Sequence, residues 1–178
     1  MKGSFLIVGY PRSRTAWLAN FLTQGNIACG HEMLSECTLP RHLAGHIRSL
    51  GKFYCGSAET AAPLFMPAIV ESMPDAKIVF VKRPAADVSA SLQRLGMDWQ
   101  TSWADEGLEY AMKLPQTLVV RYEDLDRMKV LQSIQQWVAP HELFDVRRFQ
   151  MLRDFNVQIT PARWEKLRRM AEVIFKAA

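Results

Sequence analysis

The stretch Phe5-Leu6-Ile7-Val8-Gly9-Tyr10-Pro11-Arg12-Ser13-Arg14-Thr15-Ala16-Trp17-Leu18 decides the fold. Four apolar residues run up to a glycine, the composition of a strand buried on both faces. Proline, arginine, serine and threonine then mark a turn, and the chain continues as the helix-like run 16–22. A buried strand feeding a tight turn and a helix N-terminus is a standard anion site. Backbone N–H groups and the positive end of the helix dipole converge there on the ligand. Two arginines in the turn, Arg12 and Arg14, indicate a strongly anionic ligand.

Working outward, residues 5–8 read as a first strand and 15–23 as the helix after it, stopped by Gly25-Asn26. Residues 27–29 suggest a short second strand. Residues 42–50 and 63–73 look helical. Residues 77–81 are β-branched and apolar, a buried strand, and Pro84 opens a helix to about Leu95. A further helix over 103–113 precedes a buried strand at 117–120. Beyond it, Leu125, Met128, Leu131, Ile134 and Val138 form a helical stripe. Thr160-Pro161 is the start of a last helix carrying Trp164, Leu167, Ala171 and Ile174.

Apolar strands alternating with helices predict one α/β domain over the whole chain. Its form is a three-layer sandwich around a central parallel sheet of P-loop-type topology. Ligands on such sheets bind at the carboxyl ends of the strands. Here those ends are residues 9–14, Lys82-Arg83 and residues 121–124, all rich in charge.

Composition sets the bounds. The chain has 178 residues, 49% hydrophobic and 22% charged, ordinary for a globular domain with a real core. Its net charge of +4 fits an anionic small molecule, and no Lys/Arg block suggests a nucleic-acid tail. Three cysteines, Cys29, Cys37 and Cys55, lack framework spacing, and no secretory leader or membrane-length apolar run is present. These features predict a reduced, cytoplasmic protein without nucleic-acid or membrane partners, as monomer or homodimer.

The first loop departs from the nucleotide-triphosphate motif, which needs Gly, four residues, then Gly-Lys-Ser/Thr. Counted from Gly9, the Gly-Lys positions hold Arg14 and Thr15. Tyr10-Pro11-Arg12-Ser13-Arg14-Thr15-Ala16-Trp17-Leu18 instead resembles the 5′-phosphosulfate loop of the sulfotransferases, Y-P-(K/R)-S-G-T-x-W-L, with Arg14 in place of the glycine. Arg83, with Ser91 eight positions on and Asp87 and Val88 between, resembles the family's 3′-phosphate element. Val120-Arg121-Tyr122-Glu123-Asp124-Leu125 resembles its Y-E-D-L segment. The likeness spans residues 5–125. The last third carries no motif of the family, the donor-binding R-K-G segment included.

The resemblance implies transfer of a sulfuryl group from 3′-phosphoadenosine 5′-phosphosulfate to a hydroxyl or amine of a small acceptor, leaving adenosine 3′,5′-bisphosphate. It implies a 5′ site from Pro11, Arg12, Ser13, Arg14, Thr15, Ala16 and Trp17. Arg83 and Ser91 would form the 3′ site, with Tyr122 against the adenine. Arg12 would stabilise the bridging oxygen as the donor phosphate leaves. The residue types suit those tasks. Guanidinium groups hold phosphate and sulfonate oxygens in a forked geometry, and two separated cations suit phosphates on both sides of one ribose.

Sulfuryl transfer is mostly positioning and charge stabilisation, so no metal is expected. It needs a proton acceptor; members of the family carry a glutamate or a histidine for this, and the resemblance implies Glu32 as the base with His31 in reserve. The pair His42 and His46, at i and i+4, lacks a third ligand at sensible spacing for zinc. Trp99 and Trp103 are core or interface aromatics, with an acceptor pocket as their other use. Arg14 is expected to be the first helical residue, adding a third cation. Two other functions stay open at this point: a P-loop nucleotide or small-molecule kinase, and a non-catalytic nucleotide-binding relative.

Overall fold

The computed structural model describes residues 2–97 and 102–153. Trp99 and the helix expected from Thr160 onward lie outside them. The described residues form five strands, β1 (Gly3–Gly9), β2 (Ile27–His31), β3 (Tyr54–Glu59), β4 (Lys77–Lys82) and β5 (Thr117–Arg121). They form one sheet in the order β2-β3-β1-β4-β5. Every pairing is parallel, with Val8 opposite Glu59 on one side of β1 and opposite Phe80 on the other.

Helices follow the strands: α1 (Thr15–Leu22), α2 (Leu43–Ser49), α3 (Met66–Ser72), α4 (Ala85–Gln93), α5 (Ser102–Lys113), α6 (Met128–Val138) and α7 (Val146–Arg153). The α/β class and the central parallel sheet are therefore as expected. β1 explains why the layers number three. Successive side chains on a strand point to opposite faces. Phe5 and Ile7 enter a core with Leu18, Phe21, Leu131 and Ile134 from α1 and α6. Leu6 and Val8 enter the opposite core with Ile47, Ile69 and Leu108 from α2, α3 and α5. Each such buried side chain favours folding by about 1.5–3 kcal/mol.

β3 was absent from the sequence expectation. Its sequence, Tyr54-Cys55-Gly56-Ser57-Ala58-Glu59, contains no β-branched residue, yet all six positions are buried. The small residues have a packing cause: a Cβ on Gly56 would lie 2.3 Å from the Phe5 ring. The strand is thin because its neighbour is bulky. Two expected helices also begin differently. The 63–73 segment opens as a 3-10 turn over Ala62–Phe65 before α3. The 125–138 stripe is preceded by a 3-10 turn over Tyr122–Asp126, and α6 begins at Met128.

β1 is the point where the chain switches direction across the sheet. β3 and β2 lie to one side and β4 and β5 to the other, which opens a crevice at the carboxyl end of β1.

Candidate active site

The loop from Gly9 to Thr15 crosses that crevice. Gly9 lets it begin, because a Cβ there would sit 2.9 Å from the Val81 carbonyl oxygen. Tyr10 donates its phenol hydrogen bond to Asp105 of α5. Burial first, then that bond and the charges of Asp105 and Glu109, push its pKa up to about 12. Arg12 and Arg14 both take left-handed backbone conformations, with φ of 69° and 59°. Ser13 is fully buried and its hydroxyl has no partner. Thr15 is buried at the first helical position, Pro11 is half-buried on the loop, and Ala16 is half-buried in the first turn of α1.

Two loop expectations require correction. Arg14 is not the first helical residue: it is the cap of α1, at φ 59° and ψ 22°. A non-glycine residue costs roughly 1–2 kcal/mol there. Its side chain offsets that cost locally. Arg14 Nη1 lies 2.6 Å from Asp126 Oδ1, and the guanidinium sits 4.4 Å from the centre of the Trp17 ring. The expected third cation is thus engaged by a carboxylate and an indole. Trp17 departs likewise. Its ring is buried and stacks on Phe21 at 5.5 Å, and its indole N–H donates to the Leu152 carbonyl at 2.9 Å. It anchors α1 to α7 from within the core, because an amphipathic indole when buried needs a partner for its N–H.

On the β4 side, the separate sequence elements converge. Arg12 Nε donates to Ser91 Oγ at 3.3 Å, so Ser91 projects from α4 back to the loop. Arg83, just beyond β4, donates from Nη1 to the Arg12 carbonyl. Its guanidinium lies 4.2 Å from the centre of the Tyr122 ring, covering one face of it. Arg83 Nε is buried without a partner. Burial, and next the charge of Arg83, lower the pKa of Arg12; Arg94 adds to this. Two guanidinium groups are held together, partly out of water, around buried donors.

On the β3 side the site is acidic. Glu32 follows β2 with φ 56°, again left-handed. Its Oε1 accepts hydrogen bonds from the Thr60 N–H at 3.1 Å and the Thr60 hydroxyl at 2.7 Å. The exposed ring of His31 places Nε2 3.6 Å from the same oxygen. The two base candidates are therefore brought together, with Glu32 the better held. Beside them is a residue that sequence reasoning missed. Glu59, the last residue of β3, is fully buried. It accepts hydrogen bonds from the Ser57 hydroxyl and from the Leu34 N–H, the latter at 3.2 and 3.3 Å to its two oxygens. Burial pushes its pKa up to about 7, with the Glu32 charge adding and the hydrogen bonds opposing. No local signal marks Glu59, because the strand that carries it was not legible.

His46 Nδ1 lies 3.9 Å from Glu36 Oε2, an exposed pairing. Among the described residues no group of three or more His, Cys, Asp or Glu side chains is arranged to hold a metal ion. No described helix is long and apolar enough to cross a membrane.

No protein-family model matches the sequence, and no curated protein matches it. Solved structures do. The crystal structure of sulfotransferase STF9 from Mycobacterium avium superposes with a TM-score of 0.58 at 12% identity, over 86% of this chain and 67% of that one. Mouse sulfotransferase SULT7A1, crystallised with PAP, gives 0.57 at 14% identity, over 91% and 70%. The chain has a sulfotransferase-type fold, the P-loop-like architecture expected from the first loop.

Proposed function

We propose that the protein transfers a sulfuryl group from 3′-phosphoadenosine 5′-phosphosulfate to a hydroxyl or amine of a small acceptor. The observation that carries this reading is the linked cluster of Arg12, Ser91 and Arg83. Arg12 reaches Ser91 of α4, and Arg83 holds the carbonyl of Arg12. Two like charges gathered around buried donors are costly without an anion and favourable with one. Ser13 Oγ and Arg83 Nε, buried and unpartnered, are the donors such an anion would satisfy. A structural neighbour crystallised with PAP supports the choice of ligand.

The donor supplies an activated sulfuryl group. The residues of this chain supply position, charge and a base. The loop N–H groups around Ser13 to Thr15 and the start of α1 would bind the 5′ end. The Arg12 guanidinium would neutralise charge developing on the departing phosphate, as a preorganised cation does best when little water is present. Arg83 and Ser91 would hold the 3′-phosphate, and Tyr122 would meet the adenine. Arg14 would serve through its backbone, since its side chain is engaged with Asp126 and Trp17. Glu32 would accept the acceptor's proton at Oε2, because Oε1 is held by Thr60.

Calorimetry with adenosine 3′,5′-bisphosphate and with ATP·Mg tests the reading. Tight binding of the bisphosphate that is lost in Arg83→Ala is the expected result. Binding of ATP·Mg alone would place the protein with the nucleotide kinases. Bisphosphate binding without turnover of the donor would make it a nucleotide-binding module.

A further inference from the structure

The mechanism above leaves a buried carboxylate, Glu59, unused. Glu59 closes β3 directly opposite Val8, the residue before Gly9 on β1. It is fully buried, and both of its oxygens face the Leu34 N–H. Leu34 lies in the 3-10 turn Met33–Glu36, whose cap is Glu32. The next residue along the chain, Thr60, grips the Glu32 carboxylate itself through its N–H and hydroxyl. The end of β3 therefore holds Glu32 twice: by its carboxylate, through Thr60, and by the turn it begins, through Glu59. That double hold matters because Glu32 sits at φ 56°, a conformation a glutamate does not keep unaided.

We infer that Glu59 is a positioning residue for Glu32: through the Leu34 N–H it fixes the turn that Glu32 caps, and so holds Glu32 where a base must stand. The inference rests on the reading of Glu32 as the base. The physical basis is a buried carboxylate at the end of β3 that accepts from the turn following β2, with the Glu32 carboxylate close by. Like charges resist joint ionisation, so the charge of one raises the proton affinity of the other. Glu32 is one of the causes of the raised pKa of Glu59. Near neutrality Glu59 changes from acid to anion. As an anion it is the stronger acceptor for the Leu34 N–H and fixes the turn under Glu32 more firmly, at the pH where an acceptor proton must be taken. The other titratable groups coupled to Glu59 are the thiols of Cys29 and Cys37, both pushed upward chiefly by burial and further by Glu59. Neither thiol carries charge near neutrality.

Carboxyl-carbon NMR on glutamate-labelled protein tests this without an acceptor. One resonance, absent in Glu59→Gln, should titrate near pH 7 and move to lower pH by half a unit or more in Glu32→Gln. A midpoint unmoved by Glu32→Gln overturns the inference. Donor hydrolysis, with water standing in for the acceptor, gives a functional readout. The wild-type rate should rise through pH 7. In Glu59→Gln that rise should be gone and kcat at pH 8 at least fivefold lower, with bisphosphate affinity within twofold of wild type. A Glu59→Gln profile superposable on wild type overturns the inference, because a purely structural Glu59 would leave the profile alone. Failure of the bisphosphate to bind, or of the bound donor to hydrolyse, instead sinks the sulfuryl-transfer reading. The NMR titration still decides the coupling in that case.

Discussion

The two flanks of β1 carry opposite charge and were assembled by opposite means. On the β4 side, Arg12, Arg83 and Arg94 gather around Ser91 and Tyr122. β4 is apolar and β-branched, and Arg83 stands just beyond its carboxyl end. On the β3 side, Glu32 and Glu59 gather around Thr60 and Ser57. That strand is built from small residues, and its last carboxylate is buried. The difference teaches how one sheet edge can serve an anion and a proton together. In the proposed reaction a cationic flank would bind the donor and stabilise the leaving group, while a separate acidic flank would accept the proton. Were the carboxylates among the arginines, each would neutralise the other and neither task would be done.

The comparison breaks most visibly if the flanks are not separable by mutation. Glu32→Gln should lower turnover by 10²–10⁴-fold, the usual span for loss of a general base, and leave bisphosphate binding within about twofold. Single-turnover kinetics beside calorimetry reads both. A matching loss of affinity would mean that the acidic flank also touches the donor.

Arg83→Ala attacks the other flank. It removes a charge from the expected 3′ site and the brace on the Arg12 carbonyl. The expected cost is about 2–4 kcal/mol of bisphosphate affinity, or roughly 30–1000-fold. Arg83→Lys should recover little, because a compact ammonium neither forks nor stacks on Tyr122 as a guanidinium does. Full rescue by lysine would reduce the flank to bulk charge.

Smaller is the effect of Glu59→Gln on stability, and its sign follows from the protonation states. The folded pKa is raised, from 4.5 to about 7. Below pH 4.5 both folded and unfolded chains hold the proton and the group is neutral to stability. As pH rises through 4.5 to 7 the unfolded chain ionises first, so stability falls, and above pH 7 the loss is complete. The shift corresponds to about 3 kcal/mol. Glutamine removes that penalty while keeping an acceptor for the Leu34 N–H. Thermal melts should show Glu59→Gln more stable than wild type by several degrees at pH 8 and equal to it at pH 4.5. The reverse order at pH 8 would show that the anion is needed by the fold.

How far the sequence could be read also divides along β1. The basic flank was legible because its signals are local: apolar runs ending in charge, Pro84 opening a helix, and the spacing from Arg83 to Ser91 that puts both toward one strand end. The resemblance added the ligand. The acidic flank was legible only at Glu32. Gly56 carries no side chain because the Phe5 ring of the neighbouring strand fills its space, a cause fifty residues away that no local pattern carries. Glu59 went unseen with its strand. Arg14 failed differently. The substitution of glycine was visible, but Asp126, its partner from the turn before α6, comes from a distant part of the chain.

Arg14 stands on the loop between the flanks and supplies the smallest expected effect. Arg14→Gly would relieve the left-handed strain, worth roughly 1–2 kcal/mol. It would also forfeit the Asp126 pair and the Trp17 contact, together about 1–2 kcal/mol for a partly buried ion pair and a cation–π stack. It would free the unfolded chain as well, which costs a few tenths more. These nearly cancel, so stability should move by less than about 1 kcal/mol in a denaturant titration. Bisphosphate affinity should change by less than about threefold if the backbone of residue 14 is what the ligand meets. A tenfold or greater loss would mean that the Arg14 side chain leaves Asp126 for the anion. The basic flank would then extend across the loop to α6, and the division at β1 would have to be redrawn there.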